Sequence, residues 1–138
     1  VGDGNKRGYL EGIASNLGLN TKKIFLGSKL DIPSMLAKAD IFAFSTTLSE
    51  GFGIALIEAM AARLPIIATD VPACREVLDN GKAGILIPVG RVDLWIKELN
   101  KIITSSNKRE YYIEKSIQNL KKYDVKIVKN KWITLFKE

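Results

Sequence analysis

The amino-acid sequence predicts an α/β fold: a Rossmann-like domain in which a parallel sheet lies between two layers of helices. Short apolar runs alternate with segments of helical periodicity, which is typical of repeated strand–helix units. Residues 41–44 are apolar at every position, as expected of a central parallel strand that helices cover on both faces. With 138 residues, the chain is long enough for one domain with a hydrophobic core.

Helices and strands are predicted in alternation up to residue 91. Gly18 ends the first helical pattern, and Asp31 can cap the second, which has Pro33 in its first turn. Pro65 ends the third helix, and an Asn-Gly pair marks a turn before the last strand. In order, the predicted elements are a helix over 6–17, a strand over 23–27, a helix over 32–39, a strand over 41–44, a helix over 54–62, a strand over 66–69, a helical turn over 73–77 and a strand over 84–87.

Only helices are predicted after residue 91: one over 92–104, one over 108–122, and a last one that Asp124 can cap. The net charge of +6 lies in this region, because residues 101–138 contain 10 Lys and Arg against 4 Asp and Glu, whereas residues 1–100 contain 11 of each. We expect residues 1–104 to form the sheet-containing body. Residues 105–138 are expected to form basic helices packed on the same domain.

Several functional classes are excluded by composition. The chain has no histidine, so it contains neither a Ser-His-Asp triad nor a histidine-based metal site. A single cysteine, Cys74, cannot form an internal disulfide, which is typical of a reducing cytoplasm. No apolar run is long enough for a membrane span, and no secretory signal is recognised. We therefore expect a cytoplasmic protein.

The segment most informative about function follows the predicted strand at 41–44. Gly51 and Gly53 flank Phe52, so the chain can turn tightly there before it enters the next helix. The N–H groups of Ile54 and Ala55 would then be unpaired at the positive end of the helix dipole. This arrangement is typical of a phosphate or pyrophosphate site.

Two carboxylates accompany this turn. Glu50 is predicted at its mouth, and Glu58 lies within an apolar helix. A carboxylate buried in such surroundings is costly unless it is paired or holds a ligand, and the hydroxyls of a ribose would suit it. Both residues also have a structural explanation, because glutamate is common near the start of a helix.

The order Ser49-Glu50-Gly51-Phe52-Gly53 followed by Glu58 resembles the E-x(7)-E motif of the retaining group 1 glycosyltransferases, which have the GT-B fold. Other motifs of that family are resembled by Val1-Gly2-Asp3-Gly4, Phe25-Leu26-Gly27, Ala39-Asp40-Ile41, Pro65-Ile66-Ile67-Ala68-Thr69-Asp70, Arg75-Glu76-Val77 and Gly81-Lys82-Ala83-Gly84-Ile85-Leu86. The resemblance implies the C-terminal, donor-binding half of a GT-B enzyme that lacks its first β-α unit.

The resemblance also implies roles for individual residues. Glu50 would be the catalytic residue that contacts hydroxyls of the donor sugar, and Glu58 would bind the ribose. The remaining donor-binding residues would be Gly51, Phe52, Gly53, Ile54 and Ala55. The loop bordering the nucleobase would consist of Gly27, Ser28, Lys29 and Leu30. Asp70, Arg75 and Glu76 are interpreted as structural, and Cys74 as a packed side chain.

The implied reaction transfers a hexosyl group from a nucleotide diphosphate sugar to a hydroxyl of a glycan or lipid-linked saccharide, with retention. No metal or other cofactor is expected, because the chain has no Asp-x-Asp and a helix N-terminus with basic residues can replace one. The family's Arg and Lys, which neutralise the leaving diphosphate, and its acceptor-binding N-terminal domain are missing here. We therefore expect an N-terminally truncated fragment with little activity by itself, whose partner is that N-terminal domain.

Alternatives stay open for both the motif and the basic tail. A nucleotide-sugar epimerase of the same fold, or a non-catalytic nucleotide-binding or assembly module, would share the motif. The lysines of the tail are explained first as a solvated surface and next by peripheral contact with an anionic membrane at the inner face. Nucleic acid is the least favoured partner, and we expect none.

Overall fold

A computed structural model describes residues 2–136 of the chain, which divide into two compact units, residues 2–35 and residues 36–136. Val1, the first residue of the glycine-containing segment noted above, lies outside the described residues, as do positions 137 and 138 of the basic tail.

The first unit contains helices α1 (Arg7–Asn16), α2 (Thr21–Ile24) and the greater part of α3 (Ile32–Leu36). The predicted stop at Gly18 is confirmed, because its φ is +71° and its N–H donates to the Ser15 carbonyl at 2.9 Å. The predicted cap is confirmed too, since Asp31 Oδ1 accepts the Ser34 N–H at 3.1 Å.

The predicted strand over 23–27 is wrong. The Asn20 side chain accepts the Lys23 N–H and starts α2, which takes up the first two residues of the predicted strand. Beyond Phe25, one backbone hydrogen bond among the residues that the structure describes, from the Gly2 N–H to the Gly27 carbonyl at 3.0 Å, joins this segment to another part of the unit. A single bond is not a strand ladder, and Leu26 is exposed rather than buried.

The second unit is built on a parallel sheet of strands β1 (Phe42–Phe44), β2 (Ile66–Thr69) and β3 (Ile85–Ile87), in the order β1-β2-β3. In register, Ala43 lies beside Ile67, and Ile67 lies beside Ile85. The predicted α/β class is therefore confirmed.

Helices cover both faces of this sheet. On one face, Ile66 and Ala68 of β2 pack in a cluster with side chains of α4 (Ile54–Ala61) and α5 (Pro72–Val77). On the other face, Ile67 packs with Ile102 and other apolar side chains of α6 (Val92–Thr104). The side chains of β2 alternate between the clusters because successive residues of a strand point to opposite faces.

The prediction that residues 41–44 form a central strand is wrong for the part of the chain that is described. β1 pairs there only with β2, so it is an edge strand, and Ala43 is exposed. The central position belongs to β2, whose four residues are all buried. Apolar character on both faces does not by itself separate an edge strand from a central one.

The remaining helices follow the sheet. α7 (Ser106–Leu120) packs against α4 and α6, and it starts two residues earlier than predicted because the Ser105 hydroxyl caps it through the Lys108 N–H. After a 3₁₀ turn at Lys121–Tyr123 comes α8 (Val125–Leu135), which Asp124 caps as predicted. Every residue of α8 is exposed. No helix within residues 2–136 is both long enough and apolar enough to span a membrane.

The predicted structural role of Asp70 agrees with its contacts. Asp70 follows β2, and its N–H donates to the Ile87 carbonyl at 2.7 Å. Its carboxylate accepts two hydrogen bonds from the Arg75 guanidinium, of which the one from Nη2 measures 2.9 Å. These bonds lower the pKa of Asp70 below its ordinary value.

We predict that Arg75→Met lowers the free energy of unfolding at neutral pH, and that this loss disappears in acid. Because the pKa of Asp70 is lower in the folded state, the ion pair stabilises the fold fully above about pH 4, the ordinary pKa of an aspartate. Its contribution is lost as the pH falls through the lowered pKa. Urea unfolding of both proteins at several pH values measures the difference.

Arg109→Met is the matched control, because the Arg109 guanidinium donates to the carbonyls of Ile102 and Ile103 and not to a carboxylate. Its destabilisation should not change over the same pH range. An effect of Arg75→Met that persists unchanged down to pH 3 would contradict the role given to Asp70.

Candidate functional site

The loop after β1 holds the carboxylate of Glu50. Glu50 Oε2 accepts a hydrogen bond from the Thr46 hydroxyl at 3.2 Å, and Oε1 accepts the Gly51 N–H at 3.2 Å. The N–H of Glu50 donates to the Thr47 carbonyl at 3.1 Å, so the backbone turns there. The side chain is half-buried, and each carboxylate oxygen keeps a lone pair for a further donor.

Gly53 turns the chain into α4. Its φ is +76°, in the left-handed region that favours glycine, and a Cβ at this position would lie 3.1 Å from Leu56 Cδ1. The Leu56 N–H donates to the Gly53 carbonyl at 2.9 Å. The N–H groups of Ile54 and Ala55 precede the first intrahelical bond, so they are free to bind an anion at the positive end of the helix dipole.

Phe52 lies between the two glycines, with 43% of its surface exposed. Its ring packs edge to face against Tyr123, with the ring centroids 6.0 Å apart. Tyr123 is not predictable from the sequence, because nothing in the local pattern indicates that a residue 71 positions later contacts Phe52. This pair joins the loop before α4 to the 3₁₀ turn that follows α7.

Glu58 is exposed, so its carboxylate does not bear the cost of burial that its apolar neighbours in the sequence indicated. Its neighbours divide between the helix faces: Leu56, Ala59 and Met60 are buried, whereas Glu58 lies on the opposite side. Apolar neighbours in sequence therefore did not mean apolar surroundings. Within residues 2–136 the Glu58 carboxylate has no hydrogen bond or ion pair with another side chain, which leaves it available to a ligand.

Cys74 is fully buried in the cluster between the sheet and α4. Burial raises the pKa of its thiol to about 11, and the nearby carboxylates of Glu50 and Asp70 add to the effect. The thiol is therefore protonated near neutral pH, which agrees with its interpretation as a packed side chain.

The loop predicted to border the nucleobase belongs to the first compact unit. Gly27 is buried with a φ of +68°, and a Cβ there would lie 3.0 Å from Arg7 Nη1. Ser28, Lys29 and Leu30 are exposed. The contact of these four residues with a nucleobase stays a prediction.

Among residues 2–136, no three His, Cys, Asp or Glu side chains are grouped so as to hold a metal ion. Binding without a metal or other cofactor stays a prediction.

Comparison with known proteins gives consistent matches. Residues 1–119 match the family described as glycosyl transferases group 1. A phosphatidyl-myo-inositol mannosyltransferase from Mycobacterium leprae is 34% identical over 125 residues, which cover 88% of this chain and 33% of that protein. An N-acetyl-alpha-D-glucosaminyl L-malate synthase from Bacillus anthracis is 34% identical over 90 residues, 65% of this chain and 23% of that protein.

A solved structure is also similar. The crystal structure of HepE from Anabaena in complex with UDP and glucose superposes with a TM-score of 0.84 at 26% identity, covering 99% of this chain and 39% of that one. The chain spans about a third of the length of the curated relatives it matches first. Since the family match extends over most of the sequence, the chain belongs to the group 1 family of glycosyl transferases.

Proposed function

We propose that this chain binds the nucleotide diphosphate sugar from which a glycosyltransferase transfers a hexosyl group. One observation carries the proposal: the Glu50 carboxylate is held beside a glycine turn that opens the N-terminus of α4. This combination offers acceptors for sugar hydroxyls next to donors for a diphosphate. Family membership supports the reaction class, and the complex of HepE with UDP and glucose supports the ligand class.

Each group has a separate task in the proposed complex. Glu50 accepts hydrogen bonds from hydroxyls of the donor sugar, with Gly51, Phe52 and Gly53 against the same sugar. The N–H groups of Ile54 and Ala55 bind the diphosphate, whose negative charge increases as the bond to the sugar breaks. Amides fixed in advance at a helix N-terminus stabilise such charge without reorganisation.

The ribose of the nucleotide is assigned to Glu58. α4 rises about 1.5 Å per residue, so Glu58 lies roughly 6 Å along the helix axis from Ile54. This is a suitable distance between a diphosphate at the helix start and the ribose attached to it. A carboxylate can accept hydrogen bonds from both ribose hydroxyls.

The full reaction needs more than this chain. We propose that the hexosyl group passes, with retention at the anomeric carbon, to a hydroxyl of a glycan or a lipid-linked saccharide held by an N-terminal domain. The name of the mycobacterial relative, which describes mannosyl transfer to a phosphatidyl-myo-inositol, supports a lipid-linked acceptor. By itself the chain would bind donor and transfer little.

A cytoplasmic location, peripheral at the inner face of a membrane, is proposed for the full-length protein. The exposed apolar side chains of α8, among them Trp132, and the ring of Phe136 just after the helix support a contact of this region with the N-terminal domain. Lys126, Lys129 and Lys131 on the same helix would suit an anionic membrane surface as the alternative.

Calorimetric titration of the chain with UDP-glucose, GDP-mannose and ADP-glucose, and with the matching free nucleotides, tests the proposal. We predict that Glu58→Ala weakens the binding of the sugar nucleotide and of the free nucleotide equally, about tenfold, because a charged partner of the ribose is lost. Glu50→Gln should weaken the binding of the sugar nucleotide only. Glu114→Ala, which removes an exposed glutamate of α7, is the control and should bind as wild type does.

Three results would contradict this proposal. Failure of the wild-type chain to bind any of the three donors would remove donor binding as its function. Unchanged nucleotide binding by Glu58→Ala would favour a non-catalytic module instead. Conversion of the free donor into its epimer by the full-length protein, without an acceptor, would replace sugar transfer by epimerisation.

Gly53→Ala should both destabilise the fold and weaken donor binding. An alanine at a φ of +76° is strained by about 1–2 kcal/mol, and its Cβ would press on Leu56 at the start of α4. Urea unfolding measures the first effect, and titration with the donor that wild type binds measures the second.

Gly51→Ala is the matched stability control, because its φ lies outside the left-handed region and a Cβ there meets no atom within 4 Å. Its free energy of unfolding should stay close to that of wild type. Equal stability of Gly53→Ala and Gly51→Ala would show that the left-handed turn does not determine the start of α4.

A further inference from the structure

Two buried or half-buried threonines connect Glu50 to the centre of the sheet. We infer that Thr46 and Thr69 are positioning residues, which fix the orientation of the Glu50 carboxylate toward the donor sugar. The inference rests on the proposed function of Glu50. It goes beyond that proposal because no role in donor binding was assigned to either threonine.

The connection starts in the core. Thr69 is the last residue of β2, the central strand, and only 4% of its surface is exposed. Its hydroxyl oxygen accepts the N–H of Thr46 at 3.0 Å. A buried hydroxyl at a strand end thereby fixes the backbone of a loop that follows a different strand, β1.

The second step reaches the carboxylate. The Thr46 hydroxyl donates to Glu50 Oε2 at 3.2 Å. Since Thr46 is β-branched and its backbone is held by Thr69, its hydroxyl has few alternative orientations. The Gly51 N–H occupies the other oxygen, Oε1, so both oxygens of the carboxylate are directed by the loop.

The same loop contains a hydroxyl pair that makes no such connection. Thr47 and Ser49 are exposed, and their side-chain oxygens are 2.7 Å apart. Neither hydroxyl contacts Glu50. Thr47→Val is therefore a matched control: it makes the same chemical change one residue away from Thr46.

The fixed orientation of the Glu50 carboxylate should affect how strongly the site binds a sugar nucleotide compared with a free nucleotide. A carboxylate held in one orientation has already lost the freedom that it would otherwise lose on binding, so its bonds to a sugar are stronger. Because Glu50 is assigned to the sugar alone, loss of the threonine connection should weaken binding of a sugar nucleotide and leave a free nucleotide unaffected. A general disruption of the loop would instead weaken both.

The test measures how tightly UDP-glucose and UDP bind to wild type, Thr46→Val, Thr46→Ser and Thr47→Val. If wild type prefers another donor, GDP-mannose and GDP, or ADP-glucose and ADP, take the place of this pair. Thr46→Val should bind the sugar nucleotide about tenfold more weakly, as expected for loss of a hydrogen bond to a charged group, and the free nucleotide unchanged. Thr46→Ser, which keeps the hydroxyl, should restore most of the affinity. Thr47→Val should match wild type.

Amide hydrogen exchange tests the connection to the core without any ligand. In Thr69→Val the Thr46 N–H loses its acceptor, so it should exchange faster than in wild type, while Thr69→Ser should retain protection. The fold itself can be monitored in the same experiment through amides within β2.

The outcomes separate this inference from the proposed function. Unchanged sugar-nucleotide binding by Thr46→Val, or an equal loss for sugar nucleotide and free nucleotide, would overturn the positioning role while donor binding stands. Unchanged exchange of the Thr46 amide in Thr69→Val would overturn the connection to the sheet. If wild type binds no donor, donor binding fails and the positioning role falls with it, whatever the exchange shows.

Discussion

The second unit depends on the burial of β2, whose side chains point alternately into the two apolar clusters. Ile66 and Ala68 pack toward α4 and α5, and Ile67 packs toward α6. Burial of each isoleucine contributes about 1.5–3 kcal/mol, so a polar side chain or a shift of register by one residue would disturb both layers together. The strands on either side take their register from this one.

The end of β2 positions part of the candidate site. Its last residue, Thr69, holds the backbone of Thr46 in the loop after β1, and Thr46 holds the carboxylate of Glu50. A few residues later, the left-handed turn at Gly53 directs the first N–H groups of α4 toward the same region. Carboxylate and helix N-terminus are thus positioned by the buried sheet rather than by the loop alone, as a precise binding site requires.

Features of this structure that depend on residues close in sequence could be predicted, whereas features that depend on contacts between distant residues could not. The caps at Asp31 and Asp124 and the glycine turn before α4 depend on residues close in sequence, and they were predicted correctly. The strand over 23–27 and the central place of β1 were wrong because both depend on neighbouring strands. Two further features depend on which face of a helix is covered by other elements: the exposure of Glu58 and the contact of Phe52 with Tyr123. A short sequence pattern does not predict which face this is.

Amide chemical shifts can report whether the start of α4 binds the diphosphate of a nucleotide. Titration of the isotope-labelled chain with UDP, GDP and ADP would follow every resolved N–H group during binding. We expect the largest shifts at Gly53, Ile54 and Ala55, while amides of β2 such as that of Ile67 change little. Saturable shifts confined to the lysine-rich tail, with residues 53–55 unaffected, would contradict it.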